Sequence, residues 1–174
     1  SDVCSSDLPV YARLQEGSDA PDFTLPAIVP NSASSDEAES DIDSQETSLT
    51  LSEVLKGGRK VVLYFYPAAM TPGCTKEACH FRDLAAEFAA VGASRVGISA
   101  DPVDKQARFA DQQKFDYPLL SDEDGSVAAA FGVKRDGLLK LAGMPTKRTT
   151  FAIRADGTYA AIEKKYFSFD IYGN

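Results

Sequence analysis

Residues 60–79 read KVVLYFYPAAMTPGCTKEAC, and this stretch decides the fold. Lys60 to Tyr66 is almost continuously apolar, as expected of a strand in a sheet covered on both faces. Pro67 ends it. Beyond Gly73, Ala78, Phe81, Leu84, Ala85 and Phe88 recur at three- and four-residue spacing, which predicts a helix with a buried stripe from about Thr75 to Ala90. Gly92 closes it. Cys74 thus stands at the first turn of a helix leaving the C-terminal end of a buried strand, where open α/β sheets bind ligands.

Outward from this core the pattern repeats. Val96-Gly97-Ile98-Ser99 predicts a second buried strand, Asp104 to Phe115 an amphipathic helix and Tyr117 to Leu120 a short strand. Ser121 to Gly125 has turn chemistry, followed by a small helix from Val127 to Phe131. Thr149 to Arg154 and Tyr159 to Lys164 flank an Asp156-Gly157 pair, a hairpin signal. Upstream, Ala20 to Pro26 is extended, and Ser52 is placed as N-cap of a short helix running to Lys56. The expected fold class is α/β, three layers with a central mixed sheet.

Residues 29–48 are rich in Ser, Asp and Glu and poor in apolar side chains, and are expected to be a disordered acidic insert. Six acids fall within it (Asp36, Glu37, Glu39, Asp41, Asp43, Glu46). They carry most of the formal charge of −8; without them the balance is −2, and without Asp2 and Asp7 it is zero. With no basic stripe to gather phosphates, nucleic acid is not an expected partner. No apolar run is long enough to span a membrane and no secretory leader is visible, so a cytoplasmic chain is expected. Residues 1–8, SDVCSSDL, resemble one reading frame of a common sequencing-adapter oligonucleotide and read as a non-native scar, which removes Cys4 from the argument. Residues 9–174 are expected to form one domain, with a truncated C-terminus because no closing helix follows the last strand.

Cys74 and Cys79 remain to be explained, and paired thiols in a cytosolic chain are more often catalytic than structural. A helix N-terminus favours thiolate over thiol, and the thiolate is the nucleophile. Pro72-Gly73 lets the loop turn sharply and exposes the N–H groups of Gly73 and Cys74 to a small polar substrate. The Thr71 hydroxyl can exchange a hydrogen bond near the sulfur. Cys79 lies five residues on, which in an ideal helix separates the two Cα atoms by roughly 8.7 Å. A disulfide needs less than about 7 Å. Bonding the two sulfurs therefore demands that the first helical turn unwind.

Pro67, Thr71 and Cys74, spaced P-x-x-x-T-x-x-C, resemble the active-site signature of peroxiredoxins. The longer TPGCTKEAC is similar to the PrxQ or bacterioferritin-comigratory-protein subfamily, and APDFTLP, VVLYFYP, VGIS, PLLSD and RTTF have counterparts there. The resemblance covers about residues 17–165, interrupted by the acidic insert. It implies a thioredoxin-like fold and a thiol peroxidase without a cofactor or metal. Cys74 matches the peroxidatic cysteine that becomes a sulfenic acid, and Cys79 the resolving cysteine. Thr71 matches the hydroxyl that orients the peroxide, Pro67 and Pro72 the prolines that shield the sulfenate, and Arg148 the arginine facing the thiolate and the peroxide. A thioredoxin-like dithiol is the implied reductant, and a monomer the implied state. His80 stands where the family usually carries an acid or another polar residue, and is expected to be an exposed or half-buried helix residue.

Other readings are weaker. Cys74, Cys79 and His80 lack a fourth ligand for zinc. No Cys-x-x-Cys marks a disulfide reductase. Two small core residues would not be set beside Pro72-Gly73 at a helix start. A redox sensor or holdase on the same fold, with little turnover, is the closest alternative.

Overall fold

The apolar run from Lys60 becomes a central strand because its alternate side chains enter two different cores. The computed structural model describes residues 15–30 and 44–163. Among them the elements are β1 (Thr24–Pro30), β2 (Ser44–Thr50), α1 (Leu51–Leu55), β3 (Lys60–Phe65), α2 (Pro72–Asp83), α3 (Ala85–Ala90), β4 (Ala93–Ser99), α4 (Val103–Gln113), β5 (Leu119–Ser121), α5 (Ser126–Ala130), α6 (Leu138–Leu141), β6 (Thr149–Ile153) and β7 (Tyr159–Glu163). The strands form one sheet in the order β2-β1-β5-β4-β3-β6-β7. β3, β4 and β5 are parallel, and the outer strands pair antiparallel on both sides.

Val61, Leu63 and Phe65 of β3 face one core with Leu51 and Leu55 of α1 and Val127 and Ala128 of α5. Val62 and Tyr64 face the other, with Ala78 and Phe81 of α2, Phe88 of α3 and Phe109 of α4. Helices thus cover both faces, giving the expected three layers. None of the helices among the described residues is long and apolar enough to cross a membrane.

Several local expectations need correction. The expected disorder over 29–48 is wrong at both ends: β1 runs on to Pro30, and Ser44 to Thr50 pair with Thr24 to Pro30 along a complete antiparallel register. Backbone hydrogen bonds need no apolar side chains, and at an edge strand exposed polar residues such as Gln45 and Glu46 also discourage further pairing. The expected loop 31–43, the scar at 1–8 with Cys4, and the chain beyond 163 lie outside the described residues. Ser52 is not an N-cap. Thr50 holds that position without a side-chain bond, and Asp22 Oδ1 accepts the Ser52 N–H at 2.9 Å instead. The helix expected over 75–90 starts at Pro72, since proline suits a first helical position, and breaks at Leu84. The break has a cause: Arg95 Nη1 donates to the carbonyls of Phe81 and Arg82, which would otherwise continue the ladder. Helix α6 was not expected at all.

Gly97 of β4 lies under Tyr64. A Cβ there would come within 2.8 Å of the Tyr64 Cζ and Oη and 2.9 Å of Leu119 Cδ2. Gly97→Ala is expected to destabilise the protein by about 1–3 kcal/mol, read as a lower midpoint in denaturant, because buried neighbours on both sides must shift.

Candidate active site

The loop after β3 is fastened before it delivers the helix. Pro67 is buried, and the Ala69 N–H donates to Asp101 Oδ2 at 2.7 Å. Ser99 Oγ donates to the same oxygen at 2.6 Å, and Lys105 Nζ lies 2.9 Å from Oδ1. Asp101 therefore ties the loop to the end of β4, a role the sequence reading missed. Met70 takes a left-handed φ of 62°, unusual for a residue with a side chain. Thr71 is the backbone N-cap of α2, and its hydroxyl donates to the Ala68 carbonyl at 2.8 Å. With that proton committed, Thr71 Oγ1 meets further groups as an acceptor.

Cys74 follows at the third helical position, buried at 1% exposure. Arg148, entering from just before β6, donates through Nη2 to Cys74 Sγ at 3.3 Å and through Nη1 to Glu77 Oε1 at 2.8 Å. Gly73 lies beside the guanidinium: a Cβ on it would stand 3.4 Å from Nη2, an ordinary contact distance. The structure thus brings Cys74, Gly73 and Arg148 together. Cys79 faces elsewhere, half-buried, with its Sγ 3.4 Å from Gln113 Oε1; both thiols are free. Pro72 is exposed at the start of α2, and His80 is half-buried, as expected.

Glu77 is the residue that sequence reading overlooked. Its signal was present: at three residues past Cys74 it shares that residue's helix face, which is buried. It is 4% exposed. Burial pushes its carboxyl up to about 7, and the charge and hydrogen bond of Arg148 only partly offset this. On Arg148, burial acts against the charge, but Glu77 and the Cys74 sulfur outweigh it and raise the guanidinium above its usual value. The arginine stays charged at any working pH, so the carboxylate is the member that titrates.

Glu77 titrates near 7 when folded against 4.5 when free, so between those values the folded chain holds the extra proton and stability falls as pH rises. Glu77→Gln should abolish this slope. Between about pH 5 and about pH 8 the wild type should lose on the order of 3 kcal/mol relative to that variant, measured by denaturant unfolding at both pH values.

The chain is similar to known proteins over most of its length. The AhpC/TSA family model matches residues 17–162. A Mycobacterium tuberculosis protein named as peroxiredoxin Rv1608c is 61% identical over 132 residues, 76% of this chain and 84% of that protein. The chloroplastic peroxiredoxin Q of Gentiana triflora is 36% identical over 163 residues, 94% of this chain and 65% of that protein. The crystal structure of peroxidoxin BcpB from Mycobacterium tuberculosis aligns with a TM-score of 0.72 at 52% identity, covering 91% of each chain. With its thioredoxin-like fold and a buried cysteine under an arginine at the head of a helix, the chain belongs to the AhpC/TSA family and is a peroxiredoxin, a peroxidase acting on hydroperoxides.

Proposed function

We propose that Cys74 is the peroxidatic residue and Cys79 the resolving residue of an intramolecular cycle. The observation that carries the first role is the 3.3 Å contact from Arg148 Nη2 to Cys74 Sγ. The sulfur attacks the terminal peroxide oxygen, the O–O bond breaks, and an S–O bond forms. Sulfur is oxidised by two electrons, and the departing alkoxide or hydroxide takes up a proton. Arg148 presents positive charge to the sulfur and to the oxygen on which negative charge develops. Thr71 Oγ1 accepts the hydrogen bond of the incoming hydroperoxide O–H, the N–H groups of Gly73 and Cys74 face its oxygens, and Pro67 and Pro72 limit water around the sulfenate.

Cys79 then attacks the sulfenic sulfur: an S–S bond forms, the S–O bond breaks, and hydroxyl leaves with a proton as water. A thioredoxin-like dithiol supplies two electrons and two protons to restore both thiols. The cycle runs within a monomer whose single domain spans residues 9–174.

The test is stoichiometric oxidation by hydrogen peroxide with intact mass and peptide mapping. Wild type should lose two mass units and yield a Cys74–Cys79 peptide, and Cys79→Ser should carry a trappable sulfenic acid on Cys74. Thiols that stay reduced would reject the peroxidatic role. A sulfenic acid with no disulfide in wild type would reject the resolving role alone. Oxidation once, without turnover in the presence of thioredoxin and its reductase, would favour the sensor reading.

A further inference from the structure

The second half of α2 is held from outside the helix at three carbonyls. Tyr117 Oη donates to the carbonyl of Ala78 at 2.8 Å. Arg95 Nη1 donates to that of Phe81 at 2.7 Å and that of Arg82 at 3.4 Å. Both clips are braced in turn. A tyrosine hydroxyl has one proton, and Tyr117 gives its own to Ala78, so Tyr64 Oη, 2.8 Å away, must be the donor to Tyr117. Arg95 grips Asp116 with two bonds of 2.9 and 2.8 Å, and its guanidinium lies 5.0 Å from the centre of the Tyr117 ring. Burial raises both tyrosine hydroxyls well above their ordinary range, so the chain of donors stays protonated.

The first half of the helix is built differently. Gly73 and Thr75 are poor helix formers, and the first four N–H groups of any helix have no partner within it. Ala78 is the boundary between the two halves, one residue before Cys79.

We propose that Tyr117, braced by Tyr64, sets the point at which α2 stops unwinding, so that Cys74 travels toward a Cys79 held on a stationary remnant. This rests on the resolving role proposed above. In a helix, the Ala78 carbonyl accepts the N–H of Arg82. With the carbonyls of Ala78, Phe81 and Arg82 pinned, the last turn keeps its bonds while the N–H groups of residues 76–81 lose acceptors at 72–77. Tyr117 acts through the Ala78 carbonyl and is therefore a positioning residue. A fixed Cys79 also makes closure cheap in entropy, because only one of the two sulfurs has to find the other.

The test is residue-resolved amide exchange by NMR on the full chain, reduced and after one equivalent of hydrogen peroxide, for wild type, Tyr117→Phe and Tyr64→Phe. Reduced wild type should show a step in protection between the amides of Phe81 and Arg82. Oxidised wild type should lose protection over residues 76–81 and keep it at Arg82 to Leu84. Tyr117→Phe should speed exchange at Arg82 to Leu84 about fivefold, the worth of one neutral hydrogen bond, with the sheet amides of Leu63 and Val96 unchanged. Tyr64→Phe should do the same by less, and serves alone if Tyr117→Phe does not fold. Loss of protection at Arg82 to Leu84 in oxidised wild type overturns the proposal, as does an equal effect of Tyr117→Phe on the sheet, which marks a general stabilising role. If peroxide leaves the thiols unjoined, the resolving role fails, and the step in the reduced protein decides the stop by itself: present and dependent on Tyr117 upholds it, absent overturns it.

Discussion

Arg148→Ala will slow the oxidation of Cys74 by hydroperoxide by about two to three orders of magnitude, the usual loss on removing one donor aimed at developing negative charge. The guanidinium lies 3.3 Å from the sulfur and 2.8 Å from Glu77 at once. Its planar fork allows both contacts without moving, whereas the single ammonium of lysine is a point donor that cannot span them in the same way. Arg148→Lys should therefore recover only part of the rate. Neither variant should unfold the protein. With Arg148 gone, the buried Glu77 can take up a proton, which avoids stranding a charge. Competition kinetics against a reference peroxidase measure the rate. A loss below about tenfold would mean that the charge on Arg148 is not used in the attack, and the mechanism proposed for it would have to be abandoned.

Phe131→Ala will cost about 3–5 kcal/mol of stability and leave the chemistry nearly untouched. Phe131 is fully buried, at 0% exposure, on the face of the sheet away from Cys74. Four rings surround it, with centroids at 5.9 Å (Phe23), 5.4 Å (Phe65), 5.1 Å (Phe151) and 6.2 Å (Tyr159). These come from β3, β6, β7 and the segment before β1, so no single element can move in to fill the space. For a chain of this size the loss corresponds to a fall in Tm of about 10 °C or more, measured by calorimetry. The rate of Cys74 oxidation well below the transition should stay within about twofold of wild type. A milder fall would show that the aromatic cluster relaxes around the hole.

The β3 run and the helix after it were legible because their apolar period matches the geometry they adopt. Val61, Leu63 and Phe65 alternate with Val62 and Tyr64 into opposite cores, which is what an unbroken apolar strand implies. Arg148 was found by resemblance alone, since nothing in the local pattern of Lys147-Arg148-Thr149 says that it faces a sulfur across the fold. The caps were invisible for a similar reason. Asp22 serves a helix thirty positions away, and Asp122 accepts the N–H groups of Val127 and Ala128 from within a buried turn. Edge strand β2 escaped because composition reports what a segment can bury, and an edge strand can form with exposed polar side chains.

The tyrosines around α2 also give the molecule an optical property. The chain has no tryptophan, so excited tyrosines have no indole to hand their energy to. Tyr64 lies flat against Phe81, ring centres 4.4 Å apart, and touches Tyr117 through its hydroxyl. Of the seven tyrosines, Tyr64 and Tyr117 are therefore ultraviolet reporters in direct contact with α2. A change of fold there on oxidation would alter tyrosine emission and near-ultraviolet circular dichroism with no label attached. The same peroxide titration can then be followed continuously in a cuvette, on the native sequence and in real time.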